Sequence, residues 1–187
     1  MLGLNLMIPG TRRAPSPGAN LPAGSTQLLV EQNELDGPNW VTEGLTALGP
    51  SPGPSGEADG WELICDGNTD PQILQQLLPP VSLAGRRLLL RVWAKAGDSA
   101  TYLPALSWYS YRVLATPDTG IDQVQMWQQT ITPDWSLYEF EVQFLVWQPG
   151  DLVSWRVDPF DATGGSNQPV AGSSIFVGVP ELWLLPA

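Results

Sequence analysis

The alternation of apolar and polar residues is clearest between Leu137 and Val146. The apolar positions of this segment are Tyr138, Phe140, Val142, Phe144 and Val146, and Glu139, Glu141 and Gln143 stand between them. A period of two places alternate side chains on opposite faces of a strand, so one set is buried and the other faces water. The segment therefore predicts a half-buried antiparallel strand.

Two further segments show the same period. In Leu88–Ala96, one set of positions holds Leu88, Leu90, Val92 and Ala94, and the other holds Leu89, Arg91, Trp93 and Lys95. In Asp122–Ile131, Val124 and Met126 stand opposite Gln123, Gln125, Trp127 and Gln129. Each segment therefore predicts a strand with one face that carries polar and aromatic side chains.

Short strands recur along the rest of the chain and are separated by turn-forming residues. We predict strands at 27–32, 40–45, 61–65, 88–96, 102–113, 122–131, 137–146, 151–157 and 175–185. Residues 73–78 fit either one helical turn or a strand, because Pro79 and Pro80 end any element there, and the Gly-, Pro- and Ser-rich residues 49–60 predict a loop. About eight to ten short strands at this spacing indicate an all-β fold, an antiparallel two-sheet β-sandwich of the jelly-roll type.

The first 26 residues differ from the rest and predict an extended N-terminal arm, with the sandwich at 27–187. Apolar residues stand at every second position of the first eight, namely Leu2, Leu4, Leu6 and Ile8, and Pro- and Gly-rich sequence follows. Such a segment can add a strand to a neighbouring subunit's sheet, so we expect these four residues to anchor the protein to other subunits. A disordered tail is the alternative. Arg12 and Arg13 follow the apolar run, whereas a signal peptide places its basic residues first.

Composition limits the classes of function. The 187 residues contain no histidine and a single cysteine, which argues against His-dependent nucleophilic catalysis, thiolate metal clusters and an internal disulfide. Eight Lys and Arg against 19 Asp and Glu give a net charge of −11, which argues against nucleic acid and anionic membranes as partners. We therefore expect a protein that is not an enzyme and that needs no cofactor.

Three motif matches are better explained by ordinary turns. Gly49–Gly53 reads G-P-S-P-G, but the G-x-S-x-G nucleophile elbow requires a strand, a helix and a histidine partner. Asp66–Asp70 begins like a calcium loop, but Pro71 stands where that loop needs glycine. Asp158 and Asp161 could form a glycosidase pair, yet such spacing is expected by chance among 19 acidic residues.

The polar faces of the 88–96 and 122–131 strands predict the ligand-binding surface. If the two strands share a sheet, four side chains converge there: Arg91, Trp93, Gln125 and Trp127. Tryptophan offers a flat surface to a pyranose ring or to a protein, and Arg and Gln supply directed hydrogen bonds. The alternative is that both tryptophans are buried in the core.

Several segments resemble the carbohydrate-binding-module-like jelly rolls found in many bacteriophage structural proteins. The resemblance covers residues 27–187 and rests on LLVEQNELDGPNW, GEADGWEL, RRLLLRVWAKAG, WQQTITPDWSLYEFEVQF and IFVGVPELWLLP. The matching positions are Glu34 and Trp40, Asp59 and Gly60, Lys95 and Ala96, Trp135 and Tyr138, and Glu181. Some sugar-binding members hold a structural calcium ion between the first and last strands, and the resemblance makes Glu34 and Glu181 the weak candidates for it.

The resemblance, together with the arm, implies a virion accessory protein, either a capsid decoration protein or a tail-associated one. Other virion proteins and further copies of this chain would then be its partners, and the virion its location. The alternative is a glycan-binding module, for example a receptor-binding tail component that binds a cell-surface glycan. A hydrolase is the third class, and it requires a deep pocket with paired carboxylates.

Overall fold

A computed structural model describes residues 20–30, 34–67, 72–97, 104–113, 121–161 and 171–187, with the backbone alone at 104–113, 121–129 and 154–161. These residues form strands, turns and bends and no helix. The twelve strands are β1 Thr26–Gln27, β2 Val41–Glu43, β3 Leu45–Ser51, β4 Gly60–Cys65, β5 Gln72–Leu77, β6 Arg87–Ala96, β7 Pro104–Val113, β8 Ile121–Thr130, β9 Ser136–Gln143, β10 Leu152–Asp161, β11 Ser174–Val177 and β12 Glu181–Leu184. The predicted all-β jelly-roll sandwich is confirmed.

The larger sheet has seven strands and is organised around β6. Its order is β1-β12-β6-β11-β4-β3, and β9 pairs with β6 as well. One edge of β6 pairs with β9 from Arg87 to Ala94, and the other edge pairs first with β12 and then with β11. Every pairing is antiparallel, so β6 is fully hydrogen-bonded on both sides within one sheet.

The smaller sheet has five strands in the order β2-β5-β10-β7-β8. Strands β10 and β7 pair over the full length of β10, from Leu152 to Asp161. The ambiguous segment before Pro79 is the strand β5, which pairs with β10 on one side and with β2 on the other. This sheet therefore places β8 at one edge and β2 at the other.

The core lies between the sheets and follows the alternation of the sequence. The fully buried side chains of β6 are Leu88, Leu90, Val92 and Ala94, each at most 1% exposed. From the smaller sheet, Ile73 and Val153 reach the same cluster at 1% and 0% exposure. In β6 these positions alternate with Leu89, Arg91, Trp93 and Lys95, so the pattern predicts the inward face of this strand correctly.

Several strand boundaries differ from the prediction, among them the end of β9 and the predicted strand 175–185. Strand β9 ends at Gln143 because the chain turns there, where Gln143 Nε2 donates to Gly85 O at 2.8 Å and Phe144 bridges to Ala84. Val146 was therefore assigned wrongly to the buried face, and its side chain is 52% exposed. The predicted strand 175–185 is two strands, because the chain leaves β6 after Val177 and pairs with it again from Glu181.

The structure describes the chain from Asn20, so residues 1–19 of the predicted arm lie outside the described residues. The predicted strand 27–32 is only the two-residue β1, after which Leu28 and Leu29 are buried without belonging to a strand. The division into an arm and a sandwich at residue 26 stays a prediction. Among the described residues, no helical segment has the length and apolar character needed to cross a lipid bilayer.

Candidate functional site

The outward positions of β12, β6 and β9 bring charged and aromatic side chains into adjacent rows. The register pairs Glu181 with Arg91 and Arg91 with Glu139. The next row pairs Trp183 with Leu89, and Trp93 lies two residues beyond Arg91 on β6. We call this surface the Arg91 face and define it by Leu89, Arg91, Trp93, Glu139, Glu181 and Trp183.

Arg91 is the central charge of this face, and it is buried between two carboxylates. Its side chain is only 7% exposed, and its Nε lies 2.8 Å from Glu139 Oε1. Its Nη1 lies 3.8 Å from Glu181 Oε2, and the Glu181 side chain is itself only 6% exposed. A buried charge is tolerated when an opposite charge lies beside it, so the proximity of Arg91 and Glu181 offsets part of the cost of removing both groups from water.

Glu181 has a second neighbour that fixes its orientation. The indole Nε1 of Trp183, two residues further along β12, donates a hydrogen bond to Glu181 Oε2. Residues two apart in a strand lie on the same face, which is why this contact is possible within one strand. The row therefore contains a guanidinium, a carboxylate and an indole held in one arrangement, with the Glu139 side chain 49% exposed at its open end.

Aromatic side chains border the charged row. Trp93 and Trp183 are partly exposed. Trp93 lies beneath a close approach of the backbone, because a Cβ at Gly178 would be only 3.2 Å from Trp93 Cβ and 3.3 Å from Pro54 Cδ. Further along the sheet, Lys95 Nζ lies 4.6 Å from the ring centroid of Phe176 and 5.6 Å from that of Trp135. Cation–π contacts of this kind hold the lysine against the aromatic rings.

This geometry suits reversible binding of a ligand that has both an apolar surface and hydroxyl groups. The partly exposed indole rings can stack on such a ligand, and the exposed part of Glu139 can accept hydrogen bonds from it. Arg91 is already oriented by its two carboxylates, so it loses little side-chain freedom when a ligand binds. The face thus combines stacking surfaces with polar groups of fixed direction.

Of the four predicted ligand-binding residues, the structure brings only Arg91 and Trp93 together. They lie on β6 in the seven-stranded sheet, whereas Gln125 and Trp127 lie on β8 at the edge of the five-stranded sheet. The premise that these strands share a sheet is wrong, because both edges of β6 are occupied by β9, β11 and β12. The register instead aligns Trp127 with Trp108 on β7. Ligand binding by Gln125 and Trp127 stays a prediction.

The weak calcium candidates do not form a cation site. The Glu181 carboxylate is engaged by Arg91 and Trp183, and Glu34 is exposed in the loop before β2. Gln27 Oε1, at the first strand, accepts hydrogen bonds from the amides of Leu28 and Leu182, at 2.9 Å each. The described residues contain no group of three or more acidic, His or Cys side chains that could hold a metal ion. These residues therefore do not fit a structural calcium between the first and last strands.

The remaining predicted residues differ in how much of them the structure describes. Gly49 and Ser51 belong to β3, whose edge pairing with β4 is irregular between Leu48 and Ser51, so no strand-to-helix elbow forms there. Asn68, Asp70 and the four apolar arm residues, Leu2, Leu4, Leu6 and Ile8, lie outside the described residues. Asp158 and Asp161 belong to β10, where the structure describes the backbone alone.

Sequence reasoning missed Glu139 and Trp183 as members of the site. Glu139 was recognised only as one polar position of an alternating strand, and Trp183 fell within a segment treated as one strand. The signal for Trp183 was its spacing of two from Glu181, which puts both residues on one face of a strand. Nothing in the local sequence could show that Arg91 lies between Glu139 and Glu181, because those partners are 48 and 90 residues away.

No protein-family model matches the sequence, and no curated protein matches it significantly. Solved structures do match. The CBM22-2 xylan-binding domain of Paenibacillus barcinonensis Xyn10C is 14% identical, with a TM-score of 0.55 over 81% of this chain and 96% of that one. The family 11 carbohydrate-binding module of Clostridium thermocellum, in complex with a β-1,3-1,4-mixed-linked tetrasaccharide, is 15% identical, with a TM-score of 0.51 over 87% and 96%.

A third match is the enzymatically active domain of the bacteriophage CBA120 tailspike protein 4. It is 15% identical, with a TM-score of 0.49 over 79% of this chain and only 20% of that one. A similarity at this level supports no argument about a virion. The two carbohydrate-binding modules, at these identities, show a shared fold. The chain therefore has the jelly-roll fold of carbohydrate-binding modules, and the part of the expected resemblance that concerns this fold is confirmed.

Proposed function

We propose that the protein is a non-catalytic glycan-binding module and that it binds its ligand on the Arg91 face. The observation that carries the proposal is the pair of partly exposed tryptophans, Trp93 and Trp183, on either side of the buried Arg91 row. Stacking on indole rings, combined with directed hydrogen bonds from a few fixed polar groups, is the general means by which proteins bind an amphipathic ring such as a pyranose.

The spacing of the two tryptophans favours an oligosaccharide over a single sugar. Trp183 is in register with Leu89, which lies four residues from Trp93 on β6. Strand rise and strand spacing then separate the two Cα atoms by roughly 14 Å. That distance leaves room for more than one sugar ring between the stacking surfaces, with the Arg91 row beneath the ring or rings in the middle.

The structural similarities support the same function. The two carbohydrate-binding modules that share the fold are described as a xylan-binding domain and as a complex with a mixed-linked tetrasaccharide. We extend from them only the class of ligand, an oligosaccharide or polysaccharide chain. A module of this class binds its ligand without transforming it, in line with the expectation from composition that the protein is not an enzyme.

The charge of the protein favours a neutral glycan over an acidic one. The net charge is −11, and Glu139 and Glu141 are exposed on neighbouring rows of the sheet beside the Arg91 face. Arg91 is already paired with two carboxylates, those of Glu139 and Glu181. It therefore cannot fully offset the repulsion that a third carboxylate, on an acidic glycan, would meet at this face. We therefore expect xylan or mixed-linked β-glucan to bind and polygalacturonate to be rejected at low salt.

The proposal is tested by measuring the binding of xylan and mixed-linked β-glucan by affinity electrophoresis and calorimetry. Trp93→Ala and Trp183→Ala should each weaken binding about tenfold, a change of about 1.4 kcal/mol. Trp147→Ala is the matched control, because Trp147 is also partly exposed but lies between β9 and β10, away from the Arg91 face, and this variant should bind normally. Circular dichroism establishes that each variant is folded.

Two results would overturn the proposal. One is normal binding by both Trp93→Ala and Trp183→Ala, since the Arg91 face would then not be the binding surface. The other is the absence of binding to every neutral polysaccharide in a broad panel. A polyuronate that binds more tightly than xylan would leave glycan binding in place and refute the preference for a neutral ligand.

A location on a virion is kept as a separate proposal that the glycan-binding function does not require. It rests on the resemblance and on the alternating residues of the first eight positions, which lie outside the described residues. Mass spectrometry of purified particles tests it directly. A module that displays a glycan-binding face could serve on a tail as readily as in another assembly, so the result does not affect the test of glycan binding.

A further inference from the structure

An apolar groove opens at the end of the sandwich where β5 ends and β10 begins. Its volume is about 400 Å³, and it lies between the connecting segments 78–82 and 147–150. Leu78 and Val81 on one wall are 64% and 44% exposed, and Trp147, Pro149 and Gly150 form the other wall. We call this surface the end groove.

The walls of the end groove are fixed by contacts with the domain. The ring of Trp147 packs against that of the fully buried Phe144, with centroids 5.4 Å apart. On the same wall, the amide of Gln148 donates to Asp151 Oδ2 at 2.7 Å, and Asp151 is completely buried. The groove is therefore preformed, and its exposed apolar surface costs about 25 cal/mol for each Å² that stays in contact with water.

The described chain begins at the same end of the sandwich. Asn20 is six residues from Thr26, and a turn closes between them, where Ser25 N donates to Pro22 O at 3.2 Å. The register then aligns Thr26 with Leu184, Leu184 with Leu88, and Leu88 with Val142. Three strand spacings separate Thr26 from Val142, roughly 14 Å, and Val142 is only five residues before Trp147.

The segment that precedes Asn20 has the composition and the reach to fill the groove. Leu2, Leu4, Leu6 and Ile8 place an apolar side chain at every second position of Met1–Ile8. The intervening residues 9–19 span at most roughly 36 Å. That reach exceeds the distance across the sheet from Thr26 to Val142, so Met1–Ile8 can arrive at the end groove of its own molecule.

We propose that Met1–Ile8 occupies the end groove of the same molecule, with its alternating apolar side chains against Leu78, Val81 and Trp147. An attached segment is present at an effective concentration in the millimolar range. It therefore binds its own groove in preference to that of another copy at ordinary protein concentrations. The inference is independent of glycan binding, which uses a different surface.

Disulfide trapping in the full chain tests the proposal. Leu4→Cys combined with Val81→Cys should form a disulfide within one molecule, detected as a mobility shift without reductant and as the loss of two hydrogen atoms in mass. The matched control combines Leu4→Cys with Leu48→Cys, because Leu48 is also an exposed leucine, at 47%, but lies on the edge strand β3. We expect at least a tenfold higher yield for the Val81 pair. The native Cys65 is buried, so it should not compete.

A second measurement does not depend on introduced cysteines. In the full chain, Leu4→Ser combined with Leu6→Ser should increase the binding of an apolar fluorescent dye, and adding Leu78→Asp, in the wall of the groove, should remove that increase. Equal disulfide yields for the Val81 and Leu48 pairs would overturn the proposal, as would disulfides that form only between molecules. Dye binding that does not respond to the serine substitutions would overturn it as well.

Discussion

The Arg91 face and the end groove are two exposed regions of one sandwich with opposite chemistry. On the Arg91 face two opposite charges are buried beside each other, and Arg91 and Glu181 are each 5% exposed as whole residues. In the end groove the exposed groups are aliphatic, and Leu78 is 64% exposed. One surface pairs its buried charges and presents aromatic planes, whereas the other presents apolar area to water.

This difference indicates two kinds of ligand. Polar groups that are fixed in place can select a partner by the direction of its hydroxyl groups, with modest gain from burial. Aliphatic surface gains free energy in proportion to the area that is covered and has little directional preference. We therefore assign the sugar to the Arg91 face and a peptide segment to the end groove. The following predictions test whether the two regions respond differently to substitution.

The largest expected effect is on stability, from Arg91→Met. This change leaves the Glu181 carboxylate buried without its opposite charge, and breaking a buried pair in this way costs about 3 kcal/mol. Urea denaturation should show that loss. The control is Glu139→Gln, at the exposed end of the same row, which should cost less than about 1 kcal/mol. If both variants lose the same stability, burial is not what makes Arg91 important.

A smaller effect concerns Cys65. This native thiol must stay unreacted when cysteines introduced at either surface are labelled or cross-linked. Burial, with a further contribution from the nearby Asp66 carboxylate, raises the pKa of Cys65 to about 11. A raised pKa means that the folded state holds its proton more tightly than the unfolded chain does. The free energy of unfolding should therefore be fully maintained below pH 9 and fall as the pH rises toward 11.

The comparison of native protein with Cys65→Ser isolates this effect. The difference in stability between the two should change with pH between 9 and about 11 and stay constant below that range. The native thiol should also react slowly with Ellman's reagent near neutral pH, because the protonated thiol is unreactive. Rapid, complete reaction in the folded protein would contradict both the burial and the raised pKa.

The smallest expected effect on stability comes from Leu78→Asp in the end groove, where Leu78 is 64% exposed. A residue this exposed makes few contacts within the domain, so the free energy of unfolding should change by less than about 0.5 kcal/mol. The binding of this variant to xylan should also be unchanged. The same substitution should nevertheless reduce the Leu4–Val81 disulfide yield, which would separate a docking surface from a structural one. A large loss of stability would show instead that Leu78 belongs to the core.

The inward face of each strand could be predicted from the sequence, but the pairing of strands could not. Leu88, Leu90 and Val92 are buried as the alternation requires, because burial of one face is a local pattern. Strands β6 and β8 lie in different sheets because β9, β11 and β12 occupy both edges of β6. These three strands come from distant parts of the sequence and pair with β6 only when the chain folds. Long-range pairing of this kind leaves no periodic signal in the sequence.

The site was only half predictable for the same reason. Arg91 and Trp93 were identified because two residues on one strand share a face, which is local. The burial of Arg91 depends on Glu139 and Glu181, which come from other strands. Val146 was misplaced because the alternation continues beyond Gln143, where the chain turns toward Gly85 and the strand ends. A pattern can thus extend past the hydrogen bonds that define its strand.

The position of β6 has a consequence for the order of events during synthesis. Its two edges pair with β9, which ends at Gln143, and with β12, which ends at Leu184. At a synthesis rate of about 5–20 residues per second, an interval of roughly 4 to 18 seconds separates Ala96 from Leu184. Both edges of the central strand lack their partners until β9 has been made, and one edge still lacks its partner until β12 has been made. Such an edge can pair with a strand of another chain. The exposure of β6 to aggregation therefore falls in two steps, the first when β9 is complete and the second when β12 is complete.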